Sequence, residues 1–551
     1  MPAWGRRESY VAVTWTVVVL AGIYLVTELV RPTVPPGEPN LMATESGDYL
    51  RQGETQRIQW QTTDDDPFGE AKRSSKAVMV VAGASWSRWA RRYDEEVFNV
   101  RDVINFVNGN FVCVRVDVMA DPPWAYGIHQ LQRTSVSNDD GFHVWFFDSD
   151  GTLLTWLSRR YWDESIDFNS FIGVARQALD LRFGDEPTQS SQEQRAEITA
   201  LSSSGSLAIP DYETYFDKRS LPPDFVRPPF HRWLALNRMG QGDAARAEAK
   251  TFLGSPTVDW LNGGSFRVAS TEANGYVELD KITYEAALFC EALATLSEGD
   301  PEFIVPAEMA FDFVLSRLTD RGLAASTDAH SLANGRCLAY SMPASEMRKS
   351  LPVSTITELS EVWGLNDPDN PLRVPVPASL ETISSSSETL RKVVTPSASD
   401  PKNSGYADVT ASTYACLARA ALALGVNALG SLEKLWEEVV KFRSGIDDVK
   451  HTLDANESYL GDYAATADAL FMRWKSTGNG EDLVEAKAVI DRAVFLFTGD
   501  GATLQAARAD SDLPESVGRQ APHIADGTRL PATVHAAVVM YRIGLALEDD
   551  E

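Results

Sequence analysis

Ser87-Arg88-Trp89-Ala90 sits where a short apolar run, Val78 to Ala82, gives way through a Gly-Ala-Ser turn to a stretch with helical pattern. A strand-to-helix junction suits thiol chemistry. The helix N-terminus carries partial positive charge and stabilises a thiolate, most effectively in a Cys-x-x-Cys pair. Here the place is present and the sulfur is absent. Ser87 is a weak nucleophile unless a base lies within hydrogen-bond reach. His143 is the candidate base; a helix cap formed by Ser85 or Ser87 is the commoner use of such a serine. Arg88, Arg91 and Arg92 could hold an anion beside the helix start, or simply form an exposed basic face. Trp86 and Trp89 read as packing residues.

A second set of reactive groups lies further along. Asp280, Asp328 and Asp462 are the candidate catalytic carboxylates, with Asp408 and Asp526 beside them in kind. Paired carboxylates can divide glycosidic-bond chemistry between an acid and a base or nucleophile. Phe266, Arg267, Tyr284, His330 and Asp526 are candidate ligand-binding residues. Phe266 and Tyr284, with Trp260 and Tyr276, offer faces on which a sugar ring stacks, or else core packing. His330 next but one to Asp328 is a possible acid–base or metal pair. Asp462 and Asp526 stand just before a helix or turn and read equally well as caps.

No metal or cofactor is expected. The four cysteines, Cys113, Cys290, Cys337 and Cys416, are far apart, and the seven histidines show no ligand spacing with them. Cys113 lies in a strand-like run; Cys290 and Cys416 lie in apolar helical runs. All are expected as buried free thiols. A net charge of −28 argues against nucleic acid as a partner, because binding phosphates requires a positive face.

Four segments must carry these residues. Residues 1–30 begin with Arg6 and Arg7 and continue through an uncharged apolar run, Val11 to Thr27. That is close to the roughly 17–25 residues of a bilayer span. The expectation is an uncleaved signal anchor with its N-terminus in the cytoplasm and the bulk of the chain outside it, periplasmic or extracellular. Residues 31–75, rich in Pro, Gly, Thr and Asp, read as a flexible linker with room for a short ordered piece at Arg57 to Gln61. Residues 76–185 read in the order strand, helix, helix, strand, helix, strand, strand, helix, with a turn at Asp148-Ser-Asp-Gly151 between the last two strands. Residues 186–551 show helical periodicity almost throughout, as in Tyr284, Ala287, Leu288 and Ala292. Within them, 320–370 and 500–526 read as long loops on one face.

The landmarks, taken in order, resemble the spermatogenesis-associated protein 20 family. The carrying residues are Val97-Phe98, Asn108 to Asp117 and Trp145 to Gly151, then Gly263-Gly-Ser-Phe-Arg267 and Leu279 to Glu285. Thr327 to Ser331, Asn370 to Pro375, Tyr459 to Ala464 and Asp526 to Pro531 follow. The resemblance implies an α/β thioredoxin-like domain followed by an all-α six-hairpin (α/α) toroid, the fold of sugar epimerases that use histidines as proton carriers. It also marks what is missing. The family's Cys-His-Trp-Cys-His corresponds to Ser87-Arg88-Trp89-Ala90-Arg91, no proline stands near Phe142-His143, and Glu278 replaces a histidine. The function expected is therefore membrane-anchored binding or scaffolding of a protein or carbohydrate ligand, without thiol redox activity. The alternative is a glycosidase or epimerase acting through helical-half carboxylates.

Overall fold

The computed structural model describes residues 37–45, 47–121, 142–157, 168–183, 225–226, 228–270, 277–328, 332–333, 336–337, 349–363, 379–391, 400–454, 457–498, 504–505 and 532–547. The apolar run at 11–27, and with it the membrane-anchor expectation, lies outside these residues, as do His330 and Asp526. Among the described residues no helix is long and apolar enough to cross a membrane.

The first domain is built on β2 (Ala77–Gly83) and β3 (Phe111–Asp117), which pair in parallel from Ala77↔Phe111 to Gly83↔Asp117. Both strands are buried along their length. Their valine-rich, largely apolar runs are those of strands covered on both faces. Ala77, Met79 and Val81 face one apolar cluster, while Val78, Val80 and Ala82 face another. That is the two-residue alternation of a strand. The helices α3 (Arg88–Glu96) and α4 (Arg101–Asn110) lie between the two strands in sequence. The antiparallel strands β4 (Phe142–Phe147) and β5 (Leu153–Leu157) complete one side, and α5 (Phe168–Phe183) packs its Phe171, Ala175 and Ala178 into the first cluster. The turn falls at Asp148 to Gly151, as expected, with Gly151 in the left-handed region at φ 90°.

The segment expected as a linker is folded from residue 37 onward. It contributes α1 (Asp48–Gln52), β1 (Trp60–Gln61) and α2 (Pro67–Ser74). β1 pairs in parallel with β3 through Trp60↔Cys113, giving the sheet order β1-β3-β2-β4-β5. Met42, Tyr49, Ile58 and Trp60 are buried. Arg115 of β3 fastens the segment: it makes two bonds to Asp94 (2.8 and 2.7 Å), donates to the Tyr49 carbonyl at 3.0 Å, and stacks over the Tyr49 ring at 3.8 Å. The strand falls within the ordered piece expected at Arg57 to Gln61, while the polar, proline-rich composition hid the helices on either side of it.

The second half is helical, framed by short strands that sequence periodicity did not show. β6 (Phe225–Val226), β7 (Val268–Ser270) and β8 (Val277–Glu278) form one small sheet. β9 (Lys281–Ile282) pairs with β11 (Gly322–Asp328), which also pairs with β10 (Leu318–Thr319) and β12 (Asp400–Ser404). The helices alternate between an inner and an outer row. The inner row is α6 (Phe230–Arg238), α8 (Thr283–Ser297), α12 (Ala407–Leu424), α14 (Leu460–Thr477) and α16 (Ala532–Leu547), each against the next. The outer partners are α7 (Gly242–Leu253), α9 (Ile304–Leu315), α13 (Leu429–Lys441) and α15 (Gly480–Phe497), each against the inner helix before it. Inner helices α8, α12 and α14 are buried nearly all round, whereas α13 buries only Leu432, Leu435, Trp436 and Val439. A helix apolar on every side belongs inside; one with a single apolar stripe belongs outside. α10 (Val353–Trp363) and α11 (Leu380–Arg391) pair with one another. α10 corrects the expectation of loop over 320–370, as does β11.

A candidate functional site at the domain seam

At the junction after β2 a serine caps the helix. Ser87 is fully buried, and its Oγ accepts a hydrogen bond from the Ala90 amide at 3.2 Å. Trp86 and Trp89 are buried, as expected of packing residues, and Ala90 with them. Arg88 and Arg92 lie over the Trp89 ring at 5.9 and 5.2 Å, and Arg92 pairs with Glu96 at 2.8 Å. His143 does not serve Ser87. Its ring stacks on Trp145 at 5.1 Å, and Trp145 belongs to the cluster on the sheet face opposite the one that holds Trp89 and Ala90. Ser87→Ala should lower stability by about 1 kcal/mol, the usual worth of a lost helix cap, measured by denaturant unfolding.

The same turn is covered by the helical half. Ala84, Trp86 and Met119 belong to the helical core cluster rather than to the core of their own domain. The Arg267 guanidinium stacks on the Trp86 ring at 4.3 Å, and its Nε lies 3.6 Å from the Glu285 carboxylate. Around this contact the sequence folds into three adjoining pieces. In the first, Asp259 Oδ1 accepts from the amides of Leu261 and Asn262, and the turn then passes through Gly263 and Gly264 at φ 84° and 80°. The second is the β8–β9 turn, where Glu278 and Asp280 have no exposure at all. The third is the start of α8, with Tyr284 and Glu285. Lys281 ties them together. Its Nζ donates to Asp259 Oδ2 at 2.5 Å and to the Gly263 carbonyl at 2.9 Å, and it sits over the Phe313 ring at 3.9 Å. Burial pushes its amine below the ordinary lysine value, against the pull of Asp259.

Phe266, Arg267, Asp280 and Tyr284 are thus gathered at one seam, all buried. Asp328 joins them at backbone level. β9 and β11 pair through Thr327↔Lys281, so the next register position sets Asp328 beside Asp280. Asp462 does not join this group. It begins α14, where Oδ2 accepts from the Tyr459 amide at 2.8 Å and Oδ1 meets His451 Nδ1 at 2.8 Å. The cap expected of Asp462 is therefore present.

His451 makes a second seam contact that sequence reasoning missed. It is 1% exposed, and its Nε2 lies 2.8 Å from the carbonyl of Met119, which follows β3 in the first domain. Burial works against a charged imidazole, but the Asp462 and Asp408 carboxylates outweigh it and raise the His451 pKa to about 9. Burial also pushes Asp117 up to about 6 and Asp121 to about 7. Asp408, at the start of α12, completes a group in which one ligand atom from each of Asp408, His451 and Asp462 lies within 4.8 Å of the others.

A third polar cluster runs through the inner helices. Arg419 of α12 donates to Glu291 of α8 at 2.8 Å and to Asp468 of α14 at 2.9 and 3.1 Å. Asp468 also meets His535 and Arg542 of α16, each at 3.2 Å. Burial alone would raise the Asp468 pKa; Arg419, His535 and Arg542 outweigh it and hold the carboxyl well below its usual range. Three of the thiols expected to be buried, Cys113, Cys290 and Cys416, are so; the side chain of Cys337 lies outside what the structure describes. Burial raises Cys113 to about 12 and pushes Cys290 and Cys416 up as well.

A five-stranded sheet in this order, with a helix starting directly after its central strand, defines the first domain as thioredoxin-like. Residues 39–148 match the family model Thioredox_DsbH, described as a protein of unknown function, DUF255. Over 86 residues the chain is 30% identical to spermatogenesis-associated protein 20 of Mus musculus and, again over 86 residues, 29% identical to that of Rattus norvegicus. Each match covers 16% of this chain and 11% of the relative's length. The first domain is thus similar to this family model and to spermatogenesis-associated protein 20, as the sequence landmarks indicated. Among solved structures the chain is similar to a D-mannose isomerase, with a TM-score of 0.28 and 14% identity over 59% of this chain and 83% of that one. It is also similar to cellobiose 2-epimerase from Spirochaeta thermophila DSM 6192, with a TM-score of 0.27 and 16% identity over 58% and 84%.

Proposed function

We propose that this chain is a divergent member of its family that binds a ligand and has given up thiol redox chemistry, with the first domain acting as a lid docked on a helical toroid. The observation that carries this reading is Ser87. The place of a reactive thiol is taken by a buried cap and covered by the seam. The described cysteines do not replace it, because burial holds their thiols protonated at neutral pH. In this reading the run at 11–27 anchors the chain in a membrane with the folded part outside the cytoplasm, and the ligand is a protein or a carbohydrate.

The carboxylates at the seam favour a second reading, a glycosidase or sugar epimerase. Glu278, Asp280 and Glu285 lie with Arg267, Phe266 and Tyr284 in a single buried neighbourhood, and carboxylates among aromatic side chains are what sugar chemistry uses. Two assays on the purified chain separate the readings. Reduction of a disulfide substrate by the dithiothreitol-treated protein should stay at the buffer rate; turnover above it would overturn the redox-inactive reading. Incubation with mono- and oligosaccharides, followed by proton NMR, should show no new anomeric signals. New signals lost in Asp280→Asn would establish the enzyme instead.

A further inference from the structure

We propose that Asp408, His451 and Asp462 form a binding site for a divalent transition-metal ion, with zinc the best-suited occupant. The site shares no residue with the Arg267 and Asp280 neighbourhood, and it does not depend on the function proposed above.

The argument begins with the imidazole. A carbonyl oxygen can only accept, so the Met119 contact at 2.8 Å fixes the proton of His451 on Nε2. Metal-binding histidines commonly hand their second N–H to a carbonyl or carboxylate, which sets the ring's orientation and leaves the other nitrogen for the ion. Here that other nitrogen is Nδ1, and it faces Asp462 Oδ1 at 2.8 Å. Both carboxylates are steadied in turn. Asp462 Oδ2 accepts from the Tyr459 amide at 2.8 Å, and Asp408 Oδ1 accepts from the Val409 amide at 2.7 Å. The three side chains come from separate pieces of chain: the first turn of α12, the loop after α13, and the first turn of α14.

The spacing is close to that of a site. Two atoms each about 2.1 Å from one ion stand at most ~4.2 Å apart. The three ligand atoms already lie within 4.8 Å of one another. Closing on an ion requires less than about 1 Å of movement. One imidazole nitrogen with two carboxylate oxygens suits zinc better than calcium, which takes six to eight oxygens. The charges also balance. A divalent ion bound at Nδ1 takes the place of any proton there, forms the N–metal bond, and brings two positive charges to face the two aspartates. Because the Met119 carbonyl holds the imidazole, the bound ion would fasten the first domain to the helical one.

The test uses the full-length protein, stripped with chelator and dialysed. Calorimetric titration with zinc chloride should give one ion per chain. Asp408→Asn keeps an oxygen for the Val409 amide and should weaken zinc binding at least tenfold while circular dichroism stays unchanged. His231→Gln, on the half-exposed face of α6, should bind as the parent does. The proposal falls if the parent shows no saturable binding, or if folded Asp408→Asn binds zinc as tightly as the parent. It also falls if His231→Gln abolishes binding, since the ion would then sit at the surface.

Discussion

Asp468→Ala should cost the helical domain about 3–5 kcal/mol, the usual consequence of removing one partner from a buried ionic cluster. Asp468 is 2% exposed and is shared as an acceptor by Arg419, Arg542 and His535. Without it Arg542 loses its ion-pair partner, and Arg419 keeps Glu291 as its carboxylate partner. Two guanidinium groups at 20% and 23% exposure would then share the interior with too little negative charge. Thermal or urea unfolding measures the loss. Acid adds a second signature. The folded-state pKa of Asp468 lies below its ordinary value. Its contribution is therefore complete above the unfolded pKa of about 3.9 and is lost as pH falls below it. The gap between parent and variant should be full at pH 6 and narrow below about pH 4. A gap independent of pH would mean that packing, not charge, sets the effect.

Gly263→Ala should cost about 2–5 kcal/mol, from two separable sources. The backbone is left-handed at φ 84°, and an added Cβ would land on the Met309 carbonyl, which belongs to α9 and cannot swing aside. Gly478 isolates the first source. It lies at φ 75° with open space around the place of a Cβ. Gly478→Ala should therefore lose only about 1–2 kcal/mol. The difference between the two variants measures the clash. Because the Gly263 carbonyl accepts from Lys281, the larger variant should also loosen the seam carboxylates. Equal losses at both positions would show that α9 yields.

What was legible in the sequence followed from local pattern. α12 falls at Ala407–Leu424, where periodicity placed it, because its apolar residues recur on every side and Gly425 ends it in the left-handed region. β2 and β3 were readable as short valine-rich runs. Phe266, Arg267, Asp280 and Tyr284 could be grouped because they lie within a few turns of one another in the chain. What was not legible depended on distance along the chain. β1 has two residues and holds its place through Arg115, 54 positions after Gln61 in sequence. Glu291, Arg419, Asp468 and Arg542 sit on four helices, and each alone is an ordinary charge on an amphipathic pattern. Cysteine and histidine spacing gave no sign of the Asp408–His451–Asp462 group, because two of its members are aspartates that double as helix-start residues. Asp462 read correctly as a cap; its imidazole partner did not show.

The bond between Met119 and His451 spans 332 positions of chain. On a ribosome moving at about 5–20 residues per second, roughly 20–60 s separate the emergence of its two ends. The first domain carries its own cores and can fold within that interval. Trp86, whose neighbours are supplied by the helical half, then faces the cytosol or a translocation channel as an uncovered apolar spot. Nascent chains of this protein are therefore most exposed to misassociation after the sheet has formed and before α14 is made. A chaperone that recognises aromatic surface would find its target on the finished domain rather than on the unfolded one.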